Sequence, residues 1–181
     1  MNLNEISEQT EKICLIAIKQ NPNNFKYVDF QTPLLCLEAV KLDGLLLELV
    51  KEQTEDICIE AIKQNSDAFK YVEFQTPKIC LEAVKRNGFL LEHVREQTEE
   101  ICLEAVKQNG LALRYVEYQT AEICKFAVKN NWVALRYVIS QTEELCWLAI
   151  NKNPLAIKFV EYQTHEMCIK VVKMVNGMLK Y

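Results

Sequence analysis

Eight cysteines are the residues of this sequence best suited to chemistry, because thiolates bind metals and form disulfides. They recur at a constant spacing of 22 residues. The cysteines are Cys14, Cys36, Cys58, Cys80, Cys102, Cys124, Cys146 and Cys168. A metal site needs ligands that converge, as in a Cys-x2-Cys motif, and a disulfide needs Cα atoms less than about 7 Å apart. Copies of a helical repeat lie about 8–10 Å apart. The spacing therefore predicts buried, reduced cysteines that pack as small apolar side chains, with no metal and no cofactor.

A Gln-Thr pair stands before every cysteine, with the threonine four residues ahead of the thiol. The threonines are Thr10, Thr32, Thr54, Thr76, Thr98, Thr120, Thr142 and Thr164. Such a polar row could form a binding strip. We expect a structural role instead, because a threonine hydroxyl caps a helix by accepting from a free amide of its first turn. The glutamine is expected to bond to the loop backbone of the next copy, whose amides need partners.

The residues after each threonine predict an α-helix of about ten residues. In the copy that starts at Gln97, the apolar residues Ile101, Cys102, Ala105 and Val106 lie on one helical face. Glutamate or proline follows most of the threonines, and both residue types suit the first position of a helix.

A stop signal and a second short segment complete each copy. Asn109-Gly110 predicts a helix end in the left-handed conformation. The following Leu111 to Val116 predicts one or two turns of a second helix, either α or 3₁₀. Helices this short are held only by packing against their neighbours.

The pattern therefore predicts an all-α fold, an α-solenoid of eight 22-residue helix-turn-short-helix repeats in a single repeat domain, 1–181. Residues 1–8 form a partial first copy and 163–181 a truncated last copy. The full repeats are 9–30, 31–52, 53–74, 75–96, 97–118, 119–140 and 141–162.

The charge balance bears on partners and location. The formal net charge is −4, whereas nucleic-acid-binding proteins usually carry a basic excess. No apolar run is long enough to span a bilayer, and the first residues lack the basic and apolar regions of a secretory signal. We therefore expect an intracellular protein with no membrane contact.

Two rows keep nucleic-acid binding open as the alternative function. A lysine recurs near the end of the predicted helices, and such a row could track phosphates. The row is Lys19, Lys41, Lys63, Lys85, Lys107, Lys129 and Lys173. Glutamates three residues before four of these lysines are expected to pair with them. An aromatic row could stack bases, although core filling under the short helix is the expected role. That row is Tyr27, Tyr71, Tyr115, Tyr137 and Phe159.

The residue before this aromatic row alternates in sign in the first five copies. It runs Lys26, Glu48, Lys70, Glu92 and Arg114, after which Arg136 breaks the alternation. Alternating sign between neighbouring copies predicts a ladder of weak surface ion pairs and a second period of two copies.

The unit EICLEAVKQNGLALRYV (100–116) resembles the repeat of the family called domain of unknown function 4116. The similar stretches AVKRNGFLLEHV (83–94), AVKQNGLALRYV (105–116) and AVKNNWVALRYV (127–138) recur along the chain. The resemblance implies a helical repeat fold and a context in giant DNA viruses of amoebae or in some bacteria. It implies no particular activity. The chain differs from the family pattern in its 22-residue period and its Gln-Thr linker.

No catalytic constellation is visible, so we expect no enzyme. His93 and His165 are far apart, and no Ser-His-Asp set or glycine-rich phosphate loop accompanies them. A solenoid presents a long surface for other proteins, which predicts a non-enzymatic protein–protein interaction scaffold. The partner surface is expected where copies six and seven depart from the pattern. Those residues are Phe126, Trp132, Ile139, Trp147 and Leu148.

Two of these departures carry a sharper hypothesis. Phe126 and Leu148 replace the glutamate of other copies and are expected to form a joint apolar site for a partner or for a second copy of the chain. Local repacking of copies six and seven is the alternative explanation.

Overall fold

The computed structural model describes residues 3–6 and 8–178, and every regular element in this part of the chain is a helix. The α-helices are α1 Glu11–Gln20, α2 Pro33–Leu42, α3 Glu55–Gln64, α4 Pro77–Arg86, α5 Glu99–Gln108, α6 Ala121–Asn130, α7 Glu143–Lys152 and α8 His165–Met178. The 3₁₀ helices are η1 Leu3–Glu5, η2 Pro22–Tyr27, η3 Gly44–Leu49, η4 Ser66–Tyr71, η5 Gly88–His93, η6 Gly110–Tyr115, η7 Trp132–Tyr137 and η8 Pro154–Phe159.

The fold is an all-α repeat solenoid, as predicted, in which a ten-residue α-helix is followed by a six-residue 3₁₀ helix. The second segment of each copy is 3₁₀ over its whole length. The chain divides into two compact units, 1–86 and 87–181. Within the first unit α1 to α4 pack in chain order, and within the second α5 to α8 do the same. The 3₁₀ helices of each unit also pack on their neighbours in chain order.

Every α-helix begins directly after a threonine of the Gln-Thr row, which confirms the predicted starts. In α5, the Thr98 hydroxyl accepts from the amide of Ile101 at 3.3 Å. The other seven threonines accept in the same way from the amide three residues on. The α-helices α1 and α5 end at the predicted asparagine, Asn21 and Asn109, but its backbone conformation differs from the prediction.

The prediction of a left-handed helix end was wrong. No described residue has a positive φ, and Asn109 is extended, with φ −147° and ψ 112°. Its backbone amide donates to the Ala105 carbonyl at 2.9 Å and closes α5. Its side-chain oxygen accepts from the amide of Leu111 at 3.0 Å and starts η6. One asparagine thus caps two helices and turns the chain between them.

The glycine after this asparagine is required by close packing. A Cβ on Gly110 would overlap the Ala127 carbonyl oxygen of the next copy and would stand 2.9 Å from the Asn131 nitrogen. The Gly110 amide donates to the Asn130 side chain at 2.9 Å. The missing side chain therefore lets the start of η6 approach the end of α6.

The core runs along each unit between the α and the 3₁₀ helices. Each copy contributes a similar set of small and medium apolar side chains, which explains how the copies stack in one register. In the copy of α5 the buried side chains are Ile101, Cys102, Ala105, Val106, Ala112, Leu113 and Val116.

Candidate functional site

The cysteines are structural. All eight thiols are free, and seven of them are buried. Cys102 donates to the side-chain oxygen of Gln97 at 3.4 Å, and burial raises the pKa of Cys58 and of Cys102 to about 11. A buried thiol with a raised pKa is a poor nucleophile and a poor metal ligand. Among the described residues no group of three His, Cys, Asp or Glu side chains could hold a metal ion.

Cys168 departs from the prediction that all eight cysteines are buried. It is half-buried, because α8 is the last described helix and no described helix packs over its outer face. The same opening leaves Ile169, Val172 and Val175 of α8 exposed.

The glutamines bond to their own copy, so the prediction that they bond to the next copy was wrong. Gln97 donates to the Tyr115 carbonyl at 2.8 Å and accepts from the Glu117 amide at 3.1 Å, both within the copy 97–118. Five other glutamines make the equivalent pair of bonds within their own copies, namely Gln9, Gln31, Gln53, Gln119 and Gln141. Gln53, Gln97 and Gln141 also donate to a carbonyl of the preceding copy. The Gln-Thr row is therefore used inside the fold and does not form a binding strip.

Much of the lysine row is neutralised by neighbouring glutamates. Lys63 lies 2.7 Å from Glu60 and Lys107 lies 2.8 Å from Glu104, the predicted pairing. Lys41 pairs more loosely with Glu38, at 3.6 Å. Paired cations of this kind offer little to a phosphate backbone.

The aromatic row is not core filling, so that prediction was wrong. Tyr71, Tyr115, Tyr137 and Phe159 are half-buried and Tyr27 is exposed. The residue two places earlier in each copy fills the core instead. Examples are Phe25, Phe69, Leu113 and Leu135.

The predicted ladder of ion pairs in the row of alternating charge is also absent where the structure tests it. Lys26 and Lys70 lie over the rings of Tyr27 and Tyr71, at 4.8 and 4.7 Å from the ring centres. Among the described residues, Glu48 forms no ion pair within 4.0 Å. Each of these cations therefore contacts the ring that follows it in sequence, a favourable cation–π contact.

A groove in the second unit brings together two of the residues predicted for the partner surface. Its volume is about 800 Å³, and Phe126 and Ile139 both line it with Leu145. Ile139 is 72 % exposed, and Phe126 is half-buried. The groove lies between α6 and the beginning of α7, and Ser140 forms part of its wall.

Charged side chains surround this apolar floor. Lys125 forms an ion pair with Glu144 at 2.9 Å along one side. Lys129 also lines the groove and forms no ion pair with any described residue within 4.0 Å. The groove thus combines an apolar floor with an unpaired cation, a combination suited to an amphipathic segment.

The other three residues of the predicted surface lie elsewhere. Trp147 borders a smaller cavity of about 410 Å³ between α7 and α8, and its indole donates to Glu143 at 3.2 Å. Trp132 belongs to η7 and stacks on Phe159, with ring centres 5.9 Å apart. Leu148 is half-buried and lines neither cavity. Phe126 therefore shares this groove with Ile139 and not with Leu148.

Phe126 also shows why its helix face remains stable without the usual glutamate. The Lys107 ammonium lies 5.4 Å from the centre of the Phe126 ring, while the same ammonium donates to Glu104 at 2.8 Å. Sequence reasoning missed Ser140 in the groove. The small side chain of Ser140 could have revealed it, because other copies carry the larger phenylalanine, tyrosine or glutamate at that position.

A family model described as a domain of unknown function, DUF4116, matches residues 33–75, 77–120 and 98–141, more than half of the chain. The chain belongs to the DUF4116 family. Each match spans two consecutive copies, so one DUF4116 unit corresponds to two of the 22-residue repeats. The 22-residue period is therefore half of a family unit and not a difference from the family pattern. No curated protein and no solved structure shows significant similarity to the chain.

No described helix combines the length and the apolar character needed to cross a bilayer.

Proposed function

We propose that this DUF4116 protein is a non-enzymatic interaction scaffold, and that its second unit binds an amphipathic segment of a partner protein in the groove between α6 and α7. The observation that carries the proposal is the apolar floor of Phe126, Ile139 and Leu145 in a groove of about 800 Å³. A groove of this volume with a largely apolar lining is typical of a binding site. The unpaired Lys129 favours a partner segment that places a carboxylate beside its apolar side chains.

The repeat pattern supports the same reading. The threonine, glutamine, cysteine and glycine rows have partners within the fold. Phe126, in contrast, stands where four other copies carry a glutamate, and Ile139 stands where the other copies carry a charged residue. A departure from the pattern with no folding role is what a binding surface requires.

Nucleic-acid binding through the lysine row is the less supported alternative. The pairing of Lys63 and Lys107 with glutamates and the net charge of −4 both oppose it. A gel-shift series at rising salt separates the two functions, since phosphate binding weakens steeply with salt.

We further propose an intracellular protein of viral origin. Free thiols in every copy favour a reducing compartment, because disulfides form in oxidising ones. The viral context rests on the family resemblance, and immunolocalisation in the organism that encodes the chain tests it.

The experiment is affinity capture from the source cells with three immobilised proteins. These are the parent, the groove variant Phe126→Glu/Ile139→Glu and the control Leu155→Asp. Leu155 is an exposed apolar residue of the same unit outside the groove, and another copy carries Asp67 at its position. A specific partner should be retained by the parent and the control and be lost from the groove variant.

Two results would overturn the groove proposal. One is a partner that all three proteins retain equally. The other is a partner that the control loses as fully as the groove variant. Light scattering of the purified parent addresses self-association: a concentration-dependent dimer that the groove variant abolishes would make a second copy the occupant.

A further inference from the structure

A separate surface of the second unit carries three cations interleaved with three aromatic rings. This cation–aromatic ladder consists of Arg114, Tyr115, Arg136, Tyr137, Lys158 and Phe159. None of its residues lines the groove. Each cation lies over the ring that follows it in sequence, at distances of 4.8, 5.3 and 4.9 Å to the ring centre.

Shared rings join the cations of neighbouring copies. Arg114 also lies 6.0 Å from the centre of the Tyr137 ring, which Arg136 contacts as well. Arg136 in turn lies 5.5 Å from the centre of the Phe159 ring. The three positive charges are therefore held in one continuous row, and Trp132 packs against Phe159 at its end.

The cations of the ladder are exposed and have no acidic partner. Arg114, Arg136 and Lys158 form no ion pair within 4.0 Å with any residue that the structure describes. The same row in the first unit runs Lys26, Glu48, Lys70 and so alternates in sign. Since that unit folds with the alternating row, three consecutive cations are not a requirement of the repeat.

The geometry of the ladder favours carboxylates over bases. A guanidinium stacked on a ring keeps its N–H edge free for bidentate pairing with a carboxylate. The cations already lie over the ring faces on which a nucleobase would stack. An extended chain advances about 10 Å in three residues, close to the spacing of about 8–10 Å between packed helices. A carboxylate at every third residue therefore matches one cation per copy.

We propose that the cation–aromatic ladder binds an acidic segment of a protein in an extended conformation, with one carboxylate on each of Arg114, Arg136 and Lys158. This binding does not depend on the groove. If the capture experiment contradicts the groove proposal, the proposal for the ladder still stands. Electrostatic contacts of this kind weaken as salt screens them.

The test is a fluorescence-anisotropy titration of the full chain with a labelled peptide of Asp-Ser-Ser repeats, which carries a carboxylate at every third residue, at low and at moderate salt. The key variant is Arg136→Glu, which restores the sign found at Glu48 and Glu92. The matched control is Lys70→Glu, the same change of charge at the same repeat position of the first unit, where the lysine also lies over a tyrosine. Circular dichroism checks that both variants are folded.

The parent should bind the peptide saturably, and less tightly at moderate salt. Arg136→Glu should weaken binding at least about tenfold, a change equivalent to about 1.4 kcal/mol, while Lys70→Glu should leave it within about twofold. Three outcomes would overturn the proposal. They are a parent that does not bind, an equal loss in the two variants, and a labelled oligothymidine that binds more tightly than the peptide through Arg136.

Discussion

At the scale of single residues, the fold depends on side chains that satisfy backbone groups of two copies at once. Gln97 is the clearest case. Within its own copy it accepts from Cys102 and bonds to the Tyr115 carbonyl and the Glu117 amide. It also donates to the Leu91 carbonyl of the preceding copy at 3.5 Å. A side chain that bridges copies fixes their register as well as their separation. Its removal should therefore cost more than the loss of an ordinary surface amide.

Replacing Gln97 by leucine should lower the free energy of unfolding by about 1–3 kcal/mol, because the Tyr115 carbonyl and the Glu117 amide lose their partner. Gln163 provides the matched control. It donates to the Ile157 carbonyl of the preceding copy and accepts from Cys168, but no described residue stands where Tyr115 and Glu117 stand for Gln97. Gln163→Leu should cost less than about 0.5 kcal/mol. Urea denaturation measures both, and equal losses would contradict the stabilising role of the bonds to Tyr115 and Glu117.

Thiol reactivity should separate Cys168 from the other seven cysteines. Burial raises the pKa of Cys58 and Cys102 to about 11, so very little thiolate forms at neutral pH and labelling is slow. Mass spectrometry after brief treatment of the native protein with iodoacetamide should find one label, and Cys168→Ala should remove it. Several labels on the native variant would show that the cysteines do not lie in the core.

The raised thiol pKa values also affect stability at high pH. The unfolded chain loses these protons near pH 9, whereas folded Cys58 and Cys102 keep theirs until about pH 11. Stability from this source is therefore complete below pH 9 and declines as the pH rises towards 11.

The roles of many single residues could be predicted from the sequence, because particular residue types recur at fixed spacings. The Thr98 cap follows from an offset that a local pattern contains. The Gln97 bonds were expected in the next copy but lie in its own and the preceding copy, because the direction in which the loop turns is not contained in the repeat pattern. Asn109 was misread because asparagine serves both left-handed helix ends and extended caps, and only the backbone angles distinguish them. Phe126 and Ile139 of the groove could be predicted, because both depart from the repeat pattern. The sequence could not show that Leu148 lies outside the groove, because this depends on how α6 and α7 pack.

At the scale of elements, the turn between the α and the 3₁₀ helix determines how closely copies approach. Gly44 and Gly110 meet a side-chain amide of the next copy, from Gln64 and Asn130. Where Pro22 stands at the glycine position and has no amide to donate, the residue corresponding to Gln64 is Leu42. At this junction the donor and the acceptor are therefore both absent.

Replacing Gly110 by alanine should destabilise the protein by about 1–3 kcal/mol, because the added Cβ overlaps the Ala127 carbonyl. A helix-propensity argument predicts the opposite sign. Ser66→Ala is the control, since position 66 already accommodates a Cβ, and it should change stability by less than about 0.5 kcal/mol. A stabilised Gly110→Ala variant in thermal denaturation would mean that this junction is not closely packed.

At the scale of the whole molecule, the residues shared by the copies build the fold, and we propose that residues that depart from the pattern build the binding surfaces. Phe126 and Ile139 in the groove and Arg136 in the cation–aromatic ladder are departures of this kind. If this division holds, returning a departure to the repeat pattern removes binding and leaves folding intact.

The thermal midpoint of Phe126→Glu/Ile139→Glu tests this division most directly. A glutamate at 126 can pair with Lys129, as Glu104 pairs with Lys107 at 2.8 Å, and this gain offsets the loss of the Phe126 contact with Lys107. The double variant should therefore unfold within a few degrees of the parent, since surface changes of this type alter stability by about 0.5 kcal/mol. A midpoint far below that of the parent would show that these side chains belong to the core and that the groove is not a binding surface.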